Sequence, residues 1–364
     1  MSTLITIDLD ALTANYRYCR DHVAPASCAA VVKADAYGLG LARIAPALFG
    51  AGCRQFFTAT HREGMVLRGL LPHAEIYVFE GVTAESEEVL RGHGLVPVLI
   101  TPEQGAAWAA RARREGRALP AVLDIDTGMT RLGFGRRELQ RLLERRADLE
   151  WLDIRYVMTH LACADDRESG MVREQLLRFD ALRRLLPPAP TSIGNSAGSL
   201  LGDGWSGDMA RLGIALFGGN PYLDDRHKAA PVLRIQSRIL QLREITEPTP
   251  VGYGATWTAP PGSRIATVGT GYADGYPWSL GNRGVAAVGG HRVPVVGRVS
   301  MDLITLDVTG VPDERVQPGC LVDLIGPDIS LEEVAERAGT INYEILTRLS
   351  QRARRVFVGG PGNA

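Results

Sequence analysis

The sequence predicts an α/β protein, a (β/α)8 TIM-like barrel followed by a C-terminal, mostly antiparallel β domain. Three observations carry this. The 364 residues exceed one average domain. Through residue 217, eight short apolar runs alternate with helical patterns, and beyond residue 230 strand-like runs follow one another directly. Strand–helix alternation implies parallel strands joined by crossovers, and eight such units close a barrel. A doubly wound open sheet is the main alternative.

Taken in order, an opening helix is expected first, with Asp8 or Asp10 as its N-cap. The eight runs cover residues 28–33, 55–60, 75–80, 95–100, 121–126, 155–160, 191–195 and 211–217. Amphipathic stretches at 103–114, 136–146 and 172–186 lie between them. In the last, Val172, Leu176, Phe179, Leu182 and Leu186 recur at helical spacing. Residues 224–230 read as a linker, dividing the chain into a barrel over 1–224 and a β domain over 225–364. In the second part, strands are expected at 232–242, 264–270, 284–288, 292–296, 303–308 and 320–325, with Gly289-Gly290 as a hairpin turn. A helix over 331–337 should start at Ser330, with Glu333 as the acid of a capping box.

Composition narrows the function classes. Apolar residues make up 45%, enough for a large core, and the net charge of -1 argues against a nucleic-acid partner or an anionic membrane surface. No apolar run approaches the roughly 20 residues that cross a bilayer. Five cysteines without a C-x-x-C pair point to reduced thiols in a cytoplasmic protein. The opening MSTLITIDLD carries no basic-then-apolar leader. The chain holds 38 arginines but only two lysines, Lys33 and Lys228. Arginine can replace lysine as a plain charge, but it cannot lose its proton near neutrality and condense with an aldehyde.

In a barrel, chemistry collects at the carboxyl ends of the strands. There the sequence places Lys33, then Asp124 and Asp126 with Arg131 just beyond, then His160, Asn195-Ser196 and Arg211. The loops after the seventh and eighth strands are common phosphate sites, and Asn195, Ser196 and the Gly213 and Ile214 amides fall in them. A partly desolvated lysine beside a phosphate site points to pyridoxal phosphate (PLP). The plain alternative is a lysine reaching from the barrel rim into water.

The stretch Val31-Val32-Lys33-Ala34-Asp35-Ala36-Tyr37-Gly38 closely resembles the PLP-lysine motif of alanine racemases. The resemblance recurs in order through Asp126-Thr127-Gly128-Met129, Arg131-Leu132-Gly133-Phe134, Thr159-His160 with Asp165, Asn195-Ser196-Ala197 and Arg211-Leu212-Gly213-Ile214. In the second domain it continues through Gly252-Tyr253-Gly254-Ala255-Thr256, Gly271-Tyr272-Ala273-Asp274-Gly275, Gly297-Arg298, Met301-Asp302 and Ile341-Asn342-Tyr343-Glu344.

The resemblance implies a PLP-dependent homodimer with shared active sites that interconverts L- and D-alanine. Lys33 would carry PLP and act as one base, and Tyr253 from the partner chain would be the other. Two bases suit the reaction, because the α-proton leaves one face of a planar carbanion and returns to the other. Arg211 would face the pyridine nitrogen, and His160 would link Arg211 to Tyr253. Arg131 would hold the substrate carboxylate, and Met301 would add its backbone N–H. Tyr37, Asn195, Ser196, Gly213, Ile214 and Tyr343 would surround the phosphate end of the cofactor. Tyr272 and Tyr343 would narrow the entrance, with Asp165, Arg298 and Asp302 at an outer gate. Without the resemblance, Tyr253 is an aromatic in a glycine-flanked turn, Arg211 a rim salt bridge, His160 a satisfied core residue, and the gate charges a solvated surface.

Two positions depart from the family. Asp124 stands where many members carry a lysine carbamylated by CO2, whose charge orients the arginine matching Arg131. Aspartate cannot be carbamylated, so Asp124 is expected to orient Arg131 on a shorter arm or merely to pack at the rim. Leu39 replaces a common histidine, with no consequence assigned. A racemase of serine or larger amino acids, a PLP decarboxylase and a non-catalytic PLP carrier are the other readings. The carrier resembles the barrel alone, and the decarboxylase has no need of a Tyr253 base.

Overall fold

The structure, a computed structural model, describes residues 3–202, 205–222 and 229–360. It opens on a strand that the sequence reading does not contain, β1 (Leu4–Asp8), in which Ile5 and Ile7 are fully buried. Asp8 then caps the first helix, Leu9–Val23, its carboxylate accepting from the N–H groups of Asp10 and Ala11 at 2.9 Å.

Eight parallel strands close a barrel: β2 (Ser27–Val31), β3 (Gln55–Thr58), β4 (Glu75–Val78), β5 (Val96–Leu99), β6 (Leu119–Asp124), β7 (Leu152–Met158), β8 (Thr191–Ser192) and β9 (Met209–Leu212). Closure comes from β9 against β2, with Ser27 opposite Met209 and Ala30 opposite Leu212. The open-sheet alternative is thereby excluded. Each strand falls on or beside an expected run, with ends that differ by a few residues. The final run overshoots, because the chain turns at Gly213 instead of continuing as strand.

The helices cover the barrel. In Met171–Arg183, Val172, Phe179 and Leu182 face the core as the spacing predicts, but a polar residue, Gln175, sits on the same buried stripe. In the helix His61–Leu70, Thr60 and Glu63 form a reciprocal capping box. The box expected at Ser330 is only half formed. Ser330 accepts from the Glu333 N–H at 3.0 Å, but the Glu333 carboxylate turns instead to Arg337 at 2.8 Å and to Arg292.

The rest of the chain forms β10 (Leu233–Glu244), a small ribbon of β11 (Thr249–Val251) and β12 (Trp257–Ala259), then β13 (Arg264–Val268), β14 (Val285–Val288), β15 (His291–Pro294), β16 (Ile304–Asp307), β17 (Leu321–Ile325) and β18 (Arg354–Val358). The larger sheet runs β15-β14-β17-β10-β1-β18, with β13 joining β10 to β16. Its pairings are antiparallel apart from β1 with β18. Gly289 and Gly290 both have positive φ, 57° and 85°, as a two-residue hairpin turn requires. The boundary expected at 224/225, and most of the linker at 224–230, lie outside the described residues. No helix among the described residues is long and apolar enough to cross a membrane.

Candidate active site

At the carboxyl ends of the barrel strands lies a cavity of about 900 Å³. Twelve of the expected site residues line it: Lys33, Tyr37, Asp124, Arg131, His160, Asp165, Asn195, Ser196, Arg211, Gly213, Ile214 and Tyr343. They come from most of the barrel's circumference and, through Tyr343, from the helix Asn342–Thr347 of the second domain.

Lys33 lies two residues past the end of β2. Its amine lies 5.8 Å from the centre of the Phe79 ring. Burial, then the positive charge of Arg131, lowers its pKa, while Glu63 acts the other way. The chain after it does something the sequence does not announce. Ala34, Asp35, Ala36 and Tyr37 all adopt positive φ, between 53° and 56°, forming one turn of left-handed helix that ends at Gly38. Each such residue costs about 1–2 kcal/mol relative to the right-handed form. The turn swings the Tyr37 ring inward, 4.7 Å from Phe217 and 6.1 Å from Tyr343.

Arg211 lies on β9, 2% exposed. Its guanidinium donates to Ser192 Oγ at 2.7 Å and to the carbonyls of Thr159 at 2.6 Å and Ile193 at 3.3 Å. It also lies 3.4 Å from His160 Nδ1. Burial lowers its pKa to about 10, so it stays charged near neutrality. Burial, then the charge of Arg211, drives His160 down to about 3. His160 is therefore a neutral imidazole that accepts from Arg211 at Nδ1, which places its proton on Nε2.

Arg131 sits in a loop clipped onto the end of β6. The Asp126 carboxylate accepts from the N–H groups of Gly128 at 2.9 Å and Thr130 at 3.0 Å, and Phe134 N–H donates to the Asp124 carbonyl at 2.7 Å. Asp124 is buried, and burial raises its carboxyl to about 7. Of the arginines acting on it, Arg211 counterbalances burial more than Arg131 does.

Two supports escape the sequence reading. Thr159, fully buried, bonds Thr127 Oγ1 at 2.8 Å and donates to the Ile125 carbonyl at 2.7 Å. Gln175 accepts from Ala162 N–H at 2.8 Å and donates to the His160 carbonyl at 2.9 Å and to Thr127 Oγ1 at 3.1 Å. It thereby pins the loop carrying His160 to the loop leading to Arg131. The signal was present, since a glutamine interrupts an otherwise apolar helical stripe.

The remaining expected residues lie elsewhere. Tyr253, Tyr272, Arg298, Met301 and Asp302 do not line the cavity; they sit on exposed loops of the second domain, Tyr253 being 72% exposed. They are neighbours in two groups. Arg298 packs under the Tyr253 turn, where a Cβ on Gly254 would come within 3.0 Å of its guanidinium. Tyr272 N–H donates to the Ser300 carbonyl at 3.1 Å, and Ala273 N–H to that of Met301 at 3.0 Å. Asp302 accepts from Arg352 at 2.7 Å.

The cavity residues fit PLP. Arg211 Nε is a buried donor with no partner, where a pyridine nitrogen would supply an acceptor. Gly213 is pressed so close to Tyr37 that a Cβ would lie 2.3 Å from the tyrosine oxygen, and its N–H donates to Ser196 Oγ at 3.0 Å. These hydroxyls and amides form a cradle whose donors suit a phosphate. Asn195 holds that cradle, its amide accepting from Gly198 N–H at 2.9 Å and donating to the Leu161 carbonyl at 3.2 Å. An amine with lowered pKa, a cradle and an unpaired guanidinium donor at one barrel mouth define a fold and site built for an aldehyde-phosphate cofactor.

Comparison with known proteins narrows that class. Residues 7–221 match the family "Alanine racemase, N-terminal domain" and residues 232–357 match "Alanine racemase, C-terminal domain". The chain is 47% identical over 360 residues to an alanine racemase of Rhodospirillum rubrum, covering 98% of this chain and 96% of that one. It is 45% identical over 369 residues to one of Brucella abortus, with 98% and 93% covered. A crystal structure of alanine racemase from Bartonella henselae with covalently bound pyridoxal phosphate superposes with TM-score 0.95 at 38% identity, covering 98% of this chain and all of that one. The biosynthetic alanine racemase of Pseudomonas aeruginosa gives 0.91 at 33% identity, covering 98% and 99%. This chain belongs to the alanine racemase family.

Proposed function

We propose that this chain interconverts L- and D-alanine with PLP carried on Lys33, in a homodimer whose sites each join Lys33 of one subunit to Tyr253 of the partner subunit. The division of the site carries this reading. The cavity around Lys33 has a cofactor cradle but is not lined by Tyr253, which stands exposed on the other domain of the same chain. A second copy supplies what one copy leaves out.

Racemisation requires one group to take the α-proton and another to deliver one to the opposite face. Lys33 Nζ does this on its side, its lowered pKa leaving more free amine near neutrality. The phenol oxygen of Tyr253 of the partner subunit does so on the other. His160 Nε2–H, held in that tautomer by Arg211, is the donor available to that oxygen. Bound PLP supplies the electron sink that acidifies the α-carbon. Arg211 would hold the ring nitrogen through its free Nε–H and, staying protonated, would keep that sink moderate. Arg131 pairs with the substrate carboxylate, and Asp124 lines the same cavity. Met301 of the partner subunit contributes a backbone N–H, and Tyr272, Arg298, Asp165 and Asp302 border the entrance. The five free thiols suit a reducing, cytoplasmic setting.

The test is circular dichroism of L-alanine with wild type and two variants. Lys33→Ala and Tyr253→Phe should each be inactive as homodimers. Random mixing of the two gives hybrids with one intact site, so about one quarter of wild-type activity should return. No recovery after verified subunit exchange would refute the shared site, and an active Lys33→Ala protein would refute the role of Lys33.

A further inference from the structure

We propose that Glu63, outside the cavity and on a different barrel unit, is a positioning residue that holds the Lys33 turn in register for catalysis. The inference rests on Lys33 being the PLP lysine.

The observation is a three-way bond. One oxygen of the Glu63 carboxylate accepts from the N–H of Ala34, the residue after Lys33, at 2.7 Å. The other accepts from Ala59 N–H at 2.8 Å and Thr60 N–H at 3.4 Å. A single carboxylate therefore ties the turn after β2 to the turn after β3. The partner of Ala34 N–H comes from outside the turn. Within the left-handed turn, Ala36 N–H reaches the Val32 carbonyl at 2.9 Å and Gly38 N–H the Ala34 carbonyl at 2.7 Å. The Ala34 amide belongs to the orphan donors that open any helix, and here the cap comes from another element.

Geometry makes this more than local capping. Lys33 and Ala34 share the peptide plane whose N–H Glu63 holds, so the carboxylate fixes the plane from which the lysine side chain departs. The four positive-φ residues that follow have no intrinsic preference for that shape, so an external anchor determines it. Glu63 also places a negative charge near the amine, opposing Arg131.

Capping and positioning can be separated, because Thr60 performs only the first. Thr60 Oγ1 accepts from Glu63 N–H at 3.3 Å and has no bond to the Lys33 turn. Thr60→Ala therefore removes half of the capping box and leaves the Ala34 contact. The experiment compares holoenzyme of wild type, Thr60→Ala, Glu63→Ala and Glu63→Gln by thermal melting, by kcat and KM for alanine, and by the rate at which hydroxylamine strips PLP. Thr60→Ala should melt lower with kcat and stripping within twofold of wild type. Glu63→Ala should lose at least tenfold in kcat with KM within threefold, and release PLP at least fivefold faster. Glu63→Gln guards against misfolding. It keeps one oxygen for Ala34 but turns an amide N–H toward the Ala59 N–H, so its stripping rate should lie between the other two. If both Glu63 variants match Thr60→Ala in kcat and stripping, Glu63 is only a helix cap and the proposal is overturned. An active Lys33→Ala protein would overturn the underlying assignment instead.

Discussion

Replacing Gln175 with leucine should destabilise the barrel and loosen substrate binding together. Leucine fills much of the same volume, so the effect comes from polar groups, not from a void. The side chain is fully buried, so water cannot take its place. Its loss leaves Ala162 N–H and the His160 carbonyl without that partner, while Thr127 keeps its bond to Thr159. Each buried group left unpaired costs about 1–3 kcal/mol, giving a loss of about 2–6 kcal/mol. Urea unfolding of the holoenzyme would read it. The same change frees the loop leading to Arg131, so KM for alanine should rise alongside. Gln175→Glu refines the test: its carboxylate still accepts from Ala162 N–H but cannot donate to the His160 carbonyl. A stability loss under about 1 kcal/mol with unchanged KM would refute the idea that this glutamine clamps the two loops.

Further outcomes follow from single contacts. Gly213→Ala puts a methyl 2.3 Å from the Tyr37 oxygen, in a ring already packed on Phe217, so PLP affinity measured by equilibrium dialysis should fall at least tenfold. Wild-type affinity would show that the cradle yields. Arg211→Lys cannot serve Ser192, Thr159, Ile193 and the free Nε direction with one ammonium, so kcat should fall by about 10²-fold or more; a loss under threefold would argue against the assigned role. For Asp124 the folded-state pKa, about 7, lies above the ordinary 3.8. Between those values the unfolded chain is ionised while the folded chain holds the proton, so stability falls as pH rises across that window. Asp124→Asn removes this loss, and its melting temperature should gain on wild type from the lower to the upper end. Parallel curves would contradict the buried setting of the carboxyl.

What was legible in the sequence has physical reasons. The barrel declares itself through alternation, and the strand ends bearing Lys33, Asp124, His160 and Arg211 come with it. β1 does not, because a five-residue strand running straight into a helix has too little alternation to stand out, and its partners lie more than 200 positions away. The left-handed turn is hidden for another reason. Lys-Ala-Asp-Ala-Tyr-Gly has ordinary helix-forming residues, and only tertiary anchors reverse its hand. Gln175 could have been found, since a polar residue in line with Val172, Phe179 and Leu182 asks for buried partners. The family motifs marked Tyr253 and Met301, but periodicity could not, because exposed loop residues lie on no buried face.

The pairing of β1 with β18 ties residues 4–8 to residues 354–358. Ribosomal synthesis delivers the first of these strands long before the second. Until residues 354–358 emerge, β1 lacks its partner on that side, and Ile5 and Ile7 are short of a neighbour. A nascent or truncated chain ending before residue 354 would carry an open sheet edge beside apolar side chains, the setting in which chains associate wrongly. Splitting the protein at its apparent seam would therefore yield two fragments that each lack part of one shared layer.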